Sequence, residues 1–349
     1  MTPLEAIIRA EIAASGPMTL HDYMALCLAH PEHGYYRRRD PLGAAGDFTT
    51  APEISQMFGE MVGLWLAEVW QGLGRPAPFR LVELGPGRGT LMADILRAGR
   101  AAPGFPEAAE VWLVETSPAL RAEQAKRVPG ARWAGALGEV PGGPLLIVAN
   151  EFFDALPVRQ YVRTAKGWAE RMVGLDGDRL GFGLRPAPDL GPAPVGAVRE
   201  RSPAGEAVAA EIGARIGAHC GAALIVDYGY AAPTPEGADT VQALRAHAFA
   251  DPLEAPGEAD ITAHVDFGAL ARAAKGAAAS PLVPQGPWLE RLGIGARAAA
   301  LARARPERAA EIEGQLRRLT APEEMGTLFR VMALGPEGAP PFPGFEGER

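Results

Sequence analysis

Residues 79–97 constrain this chain more than any other stretch. FRLVEL (79–84) is a short apolar run bounded by Pro78 and Gly85, the mark of a buried parallel strand. It leads directly into Gly85-Pro86-Gly87-Arg88-Gly89-Thr90 and then into the helical pattern of Leu91 to Leu96. Glycines there let the backbone turn tightly and let a ligand approach the main chain to contact distance. Glu83 stands two residues before the first glycine, and Glu115 closes the next strand, VWLVE (111–115). A carboxylate at that place can accept the hydroxyl hydrogens of an adenosine ribose. Together these features predict a nucleotide-like cofactor at the carboxyl edge of a parallel sheet.

The rest of the pattern agrees with such a sheet. A helix is predicted over 119–127, and LLIVAN (145–150) and ALIVDYG (223–229) read as further buried strands. Strands alternating with helices give an α/β fold with right-handed crossovers. Residues 158–195 alternate polar and apolar side chains between Gly-rich turns and read as antiparallel hairpins. The Ala-rich stretch 204–218 is helical, residues 231–325 hold helices and Pro-broken loops with little strand signal, and LFRVMAL (328–334) reads as a last strand. Before the sheet come helices at Leu4–Ile12 and Leu20–Leu28. A third follows, in which Thr50 and Glu53 form a capping box ahead of the apolar face Phe58, Met61, Val62, Trp65, Leu66 and Val69. The expected division is an amino-terminal helical extension (1–75), a core (76–157 and 221–335, with a helical and loop insertion at about 235–325), an inserted hairpin and helix subdomain (158–220) and a mobile tail (336–349).

Composition excludes several classes. Hydrophobic residues make up 48% and charged residues 22%, a balance that builds a sizeable core and rules out bulk disorder. The 34 Lys and Arg against 42 Asp and Glu leave a net charge of −8, which argues against nucleic acid or an anionic membrane as partner. Two cysteines, Cys27 and Cys220, are too few for a disulfide framework. No apolar run is long enough to insert in a membrane, and the first residues carry acids where a signal peptide carries bases. A cytoplasmic enzyme is the expectation.

Glycine spacing narrows the cofactor. A dinucleotide site spaces its glycines G-x-G-x-x-G, whereas this turn reads G-x-G-x-G with an acid two residues ahead. That is the commoner form in enzymes that use S-adenosyl-L-methionine and release S-adenosyl-L-homocysteine. Glu83, Gly85, Pro86, Gly87, Gly89 and Glu115 are then the cofactor-binding candidates, with Glu83 toward the methionine end. A nicotinamide-dependent oxidoreductase is the weaker alternative, because the spacing is wrong for it.

The segments GDFTTAPEIS, LVELGPGRGTLMADILR, ANEFFDALPVRQ, DYGY and DITAHVDF, in this order, resemble the MidA family of S-adenosylmethionine-dependent methyltransferases, from about Gly16 to Leu334. The resemblance implies a class I methyltransferase fold: a Rossmann-like, seven-stranded, mostly parallel sheet with an amino-terminal helical extension and an inserted α+β subdomain. The mitochondrial member of the family is a complex I assembly factor. The resemblance therefore implies symmetric dimethylation of an arginine on the subunit of about 49 kDa of respiratory complex I, an acceptor whose basic surroundings would suit an acidic enzyme. A non-catalytic assembly scaffold that binds the cofactor, or a methyltransferase with another acceptor, are the alternatives. A homodimer is compatible with the pattern.

A guanidinium acceptor needs carboxylates, which grip it in a bidentate fork and aim one nitrogen. Asn150, Glu151 and Asp154 follow strand LLIVAN and are the catalytic candidates. Glu151 would grip the acceptor and Asp154 would assist as second carboxylate or proton acceptor, a helical turn placing both on one side. Asn150 could touch either substrate. Thr50 and Pro52 begin a helix whose free N–H groups could meet the cofactor's carboxylate. Asp47, Asp227 and Tyr228 are candidates for the acceptor site. His30 and His33 lack neighbours to complete a tetrahedral site, and methyl transfer needs no metal.

Overall fold

The computed structural model describes residues 1–38, 50–234, 236–237 and 239–346. They fall into two compact units, one of residues 49–153, 208–229 and 267–349, the other of 1–48, 154–207 and 230–266.

The first unit holds the expected sheet. Its strands are β1 (Phe79–Leu84), β2 (Ala109–Val114), β3 (Arg132–Ala134), β4 (Leu145–Asn150), β5 (Gly221–Tyr230) and β6 (Phe329–Gly335), and the path β6-β5-β4-β1-β2-β3 is extended beyond β6 by the two residues Ala278–Ala279. β5, β4, β1, β2 and β3 run parallel, and β6 is antiparallel to β5. All six residues of β4 are buried, and β1 buries all but Arg80. Covered on both faces, such strands read as continuous apolar runs.

Helix α1 (Gln56–Gly72) packs on α2 (Thr90–Gly99), the helix that follows the glycine turn. Their approach depends on glycine: a Cβ at Gly63 would lie 2.9 Å from the backbone of Ile95. The long helix expected from Thr50 is in fact two. A turn, Ala51–Ile54, ends at Ser55 in extended backbone, and the Ser55 hydroxyl then caps α1 by accepting from Met57 N at 3.3 Å. The Thr50–Glu53 capping box does not form, because Thr50 makes no side-chain cap bond and Glu53 accepts from Thr90 instead, at 2.6 Å.

The second unit joins pieces that are far apart in sequence. Leu4, Ile8, Tyr23 and Met24 share one core with Val158, Val173 and Ile261. The short strand Met18–Thr19 pairs with Met172 and Val173, extending a sheet built from the antiparallel strands Arg159–Thr164, Gly167–Asp176, Arg179–Pro186 and Val198–Arg201. A separate three-stranded sheet (Gln242–Arg245, Ala248–Ala250, Asp260–Thr262) lies where little strand signal was read, because its strands are only three or four residues long. The expected extension 1–75 is thus not one body: residues 1–38 fold with the hairpins, and α1 folds with the sheet.

The tail also departs from expectation. Residues 336–346 pack on the sheet unit: Phe345 is 3% exposed, Phe342 lies 5.5 Å from the Trp65 ring, and Trp65 Nε1 donates to the Pro343 carbonyl at 3.1 Å. Truncating a buried Phe leaves a cavity, so Phe345→Ala should cost about 3 kcal/mol in urea unfolding. An unchanged midpoint would mean that the tail is a loose appendage.

Candidate active site

The site grows from the point where β1 ends. Gly85 (φ +61°), Gly87 (φ +51°) and Gly89 (φ +80°) all adopt the left-handed backbone that side chains disfavour. At Gly85 the constraint is double, since a Cβ would also stand 2.9 Å from the Phe152 ring. Gly85 N donates to the Val114 carbonyl at 3.1 Å and Gly89 N to the Pro86 carbonyl at 2.7 Å, so the turn is tied to β2 and to itself. Pro86 is buried and Gly85 exposed, which leaves the first peptide of the turn open to a ligand.

Glu83 lies beneath this turn, 3% exposed. One oxygen accepts the N–H of Met92 in the first turn of α2, taking the capping place that Gly89 cannot fill. The other, Oε2, is buried with no hydrogen-bond partner among the described residues. Burial pushes the carboxyl up to about 8 from 4.5, against the pull of the Met92 N–H. By register Glu83 stands opposite Val148, so Asn150, two residues on, rises from the same face of the sheet. Asn150 is 8% exposed, and its Oδ1 likewise lacks a donor among the described residues.

Glu115 follows β2 directly. Its Oε1 accepts Thr116 N (2.7 Å) and Ser117 N (2.6 Å), and its Oε2 receives only a long contact from Gln124 Nε2 (3.4 Å). Burial raises its pKa, opposed by the Ser117 and Thr116 N–H groups. One carboxylate oxygen is thus held by backbone while the other keeps accepting capacity. Gln124, which the sequence reading missed, is fully buried on the helix Pro118–Arg127. Its amide bridges the Gly87 carbonyl (2.6 Å) and Glu115, and its oxygen takes Trp133 Nε1 (2.8 Å). Its only sequence signal was a polar residue on the inward face of a helix.

Glu151 leaves β4 in the left-handed region (φ +50°), a strained place for any residue that carries a Cβ. Its N–H donates to the Val226 carbonyl at 2.9 Å, and its Oε1 accepts Ala51 N at 3.3 Å and Asn150 Nδ2 at 3.1 Å. The first N–H of the Ala51–Ile54 turn is therefore already occupied, Pro52 has none, and Glu53 N donates to the Thr50 carbonyl at 2.9 Å. This corrects the expectation that Thr50 and Pro52 open a helix start to the cofactor's carboxylate. Glu53 instead accepts the Thr90 hydroxyl and lies 3.8 Å from Arg88, linking this turn to the glycine motif.

Asp227 and Tyr228, expected at the acceptor site, are used internally. Asp227 is fully buried, with Oδ2 accepting Phe153 N (3.0 Å) and Oδ1 accepting Tyr228 N (2.9 Å). Tyr228 packs edge-on against Phe329. Asp47 lies outside the described residues. No helical turn spans residues 151–154, so the spacing that was to align Glu151 with Asp154 is not realised. Asp154 opens the other unit. There it is 5% exposed, and its carbonyl accepts Ala263 N at 3.0 Å. In that unit Tyr36 donates to Asp260 Oδ1 at 2.8 Å, and its pKa is raised by burial and then by the charges of Asp260 and Asp154. Tyr36 and Asp260 were not singled out from sequence.

The donor set fits an adenosyl cofactor with a cationic amino-acid end. An exposed glycine peptide admits close approach, Glu115 has an oxygen for hydroxyl groups, and the buried acceptors Glu83 Oε2 and Asn150 Oδ1 call for N–H donors.

Comparison with known proteins agrees. Residues 61–285 match the profile of a family of S-adenosyl-L-methionine-dependent methyltransferases. The chain is 37% identical to the mitochondrial protein arginine methyltransferase NDUFAF7 of Mus musculus, over 96% of this chain and 85% of the mouse protein. It is 36% identical to the human protein of that name, over 96% and 84% respectively. A Burkholderia thailandensis protein solved bound to S-adenosyl-homocysteine superposes with a TM-score of 0.86 at 29% identity, covering 99% of this chain and 94% of that one. The cytoplasmic placement expected from the amino-terminal residues does not stand, because these curated relatives are mitochondrial proteins.

Two outcomes follow from the geometry. Gly85→Ala puts a Cβ against Phe152 in a left-handed backbone, and should weaken S-adenosyl-homocysteine binding at least about tenfold by calorimetry, roughly the 1–2 kcal/mol of such strain. Unchanged affinity would dissociate the turn from cofactor binding. For Glu83 the folded carboxyl titrates near 8 and the unfolded one near 4.5. Its contribution to stability is therefore fully present below the lower value and lost as pH rises through the upper one. Glu83→Gln should flatten that part of the unliganded protein's Tm profile, and a Tm difference from wild type that stays constant across the window would refute the shift.

Proposed function

The chain belongs to the family of S-adenosyl-L-methionine-dependent methyltransferases, and we propose that within it the protein methylates a guanidinium nitrogen of arginine in a protein acceptor. What carries this is Glu151: a carboxylate held in a left-handed backbone at the end of β4, beside the strand that leads into the glycine turn. Relatives named as protein arginine methyltransferases, matched over nearly the whole chain, support the same acceptor class.

Bound S-adenosyl-L-methionine supplies a methyl group on a sulfonium, ready for in-line displacement. The chain must supply alignment and a nucleophile. A guanidinium with a pKa above about 12 is a poor nucleophile while it holds all its protons. Glu151 pairs with it, aims one nitrogen at the methyl carbon and localises positive charge on the other two. The new N–C bond forms as the C–S bond breaks, S-adenosyl-L-homocysteine leaves, and one proton departs from the attacking nitrogen. Asn150 Oδ1, buried and donor-poor, suits an N–H of either substrate. Asp154, three residues along the chain, is retained as the second carboxylate, to orient the acceptor or take the proton.

The finer proposal is symmetric dimethylation of an arginine on the 49 kDa-type subunit of respiratory complex I during assembly, an acceptor suggested by the family resemblance. Faster turnover on a small metabolite than on any complex I subunit would overturn it.

Glu151→Gln keeps an oxygen for Ala51 N and removes the charge that pairs with guanidinium. Affinity for S-adenosyl-homocysteine should stay within a few-fold while methyl transfer falls about 100-fold, the loss expected for one well-placed electrostatic group. Asp154→Asn should be milder if Asp154 orients the acceptor and as severe if it takes the proton. A folded, cofactor-binding Glu151→Gln protein with wild-type turnover would defeat the mechanism.

A further inference from the structure

The geometry points to a homodimer built on the outer edge of the Arg179–Pro186 strand, with a second copy pairing antiparallel about a two-fold axis at Phe182. This interface is independent of the methyl-transfer mechanism. Among the described residues the strand pairs only with Gly167–Asp176, so its other edge offers main-chain N–H and C=O groups to a new strand. Sheet edges are normally blunted by charge, proline or a bulge. Here the five residues Leu180-Gly181-Phe182-Gly183-Leu184 carry neither charge nor proline, and Pro186 ends the pairing surface beyond them. Phe182 is 45% exposed and Leu184 54%, an apolar stripe open to solvent although the Arg171 guanidinium lies over one face of the Phe182 ring, 5.1 Å from its centroid.

The sequence of this edge favours its own copy as occupant. Arg179-Leu180-Gly181-Phe182-Gly183-Leu184-Arg185 reads the same in both directions. Antiparallel pairing centred on Phe182 sets Phe182 against its counterpart, Leu180 against Leu184 of the second copy and glycine against glycine. Leu180, Phe182 and Leu184 alternate onto one face of the strand, so the apolar stripe continues unbroken across the axis. The two arginines at the ends would oppose one another, but each has an acid across from it in its own hairpin. Arg179 stands opposite Asp176, and Arg185 pairs with Glu170 at 2.6 Å. Across the four strands each end then reads acid, base, base, acid. A foreign basic segment, such as one bearing an acceptor arginine, would add positive charge beside Arg179 and Arg185 without bringing the balancing acids.

Sedimentation equilibrium on the full chain should show a dimer. Phe182→Asp, which opposes two like charges at the axis, and Leu184→Lys should each weaken it at least tenfold. S-adenosyl-homocysteine binding should not change, since neither residue belongs to the cofactor site. Register is tested by disulfide trapping in a Cys220→Ser background, where the one remaining cysteine, Cys27, is buried. Phe182→Cys should cross-link to itself under mild oxidation, whereas Leu184→Cys should cross-link only when mixed with Leu180→Cys. If Phe182→Asp fails to fold, the trapping pattern decides. A monomeric wild-type protein would overturn the proposal, as would a dimer indifferent to both charge variants or trapping without this register. A monomer whose Leu184→Lys variant loses acceptor methylation would also overturn it, by assigning the edge to the acceptor.

Discussion

Two adjacent parallel strands, β1 and β4, end side by side, with Leu84 paired to Ala149, and both chains leave the sheet through a left-handed residue. One of these is Gly85, which meets the requirement at no steric cost. The other is Glu151, for which the same backbone costs about 1–2 kcal/mol. That strain persists because the surroundings over-determine it: the Glu151 N–H is fixed to Val226, and its carboxylate to Ala51 and Asn150. Substituting glycine would relieve the strain and discard the carboxylate together with its hydrogen bonds to Ala51 and Asn150.

Burial sets the electrostatics around these exits. Glu83 and Glu115 both have raised pKa values, in each case chiefly from burial. With its carboxyl near 8, Glu83 carries its proton at neutral pH in the free protein, which spares the sheet a buried unpaired charge. A cationic ligand group reverses that balance, since a nearby positive charge favours the ionised carboxylate. The formal net charge of −8 counts this carboxyl as ionised.

The legible parts of the sequence were those fixed by local pattern. Strand, glycine turn and helix over 79–97 are contiguous, and the period and the glycines determine them without reference to distant residues. The hairpins after 158 were legible for the same reason, through alternation and Gly-rich turns. What could not be read was which pieces share a core. Leu4 and Ile8 bury against Val158, Val173 and Ile261, contacts that no local period encodes. The capping box at Thr50–Glu53 failed because Glu53 has a better partner in Thr90, 37 residues away in sequence. In the tail, the high Pro and Gly content concealed two phenylalanines that pack on Trp65 and Trp288.

The short turn Ala51–Ile54 joins the two strand exits. Its first N–H is held by Glu151 at the end of β4, and its Glu53 carboxylate holds Thr90 at the start of α2, which follows the glycine turn. Arg127 donates to the same Thr90 hydroxyl, and Arg88 of the glycine turn lies 3.8 Å from Glu53. The residue proposed to grip the acceptor and the helix that follows the glycine turn are therefore both fastened to one four-residue element. Four residues are too few to form a stable helix alone, so those bonds, the burial of Ala51 and Pro52 and the packing of Ile54 on the core help keep the turn in place. The pairing of β1 and β4 keeps the two exits side by side, and displacing the turn would loosen the Glu151 carboxylate and Thr90 together.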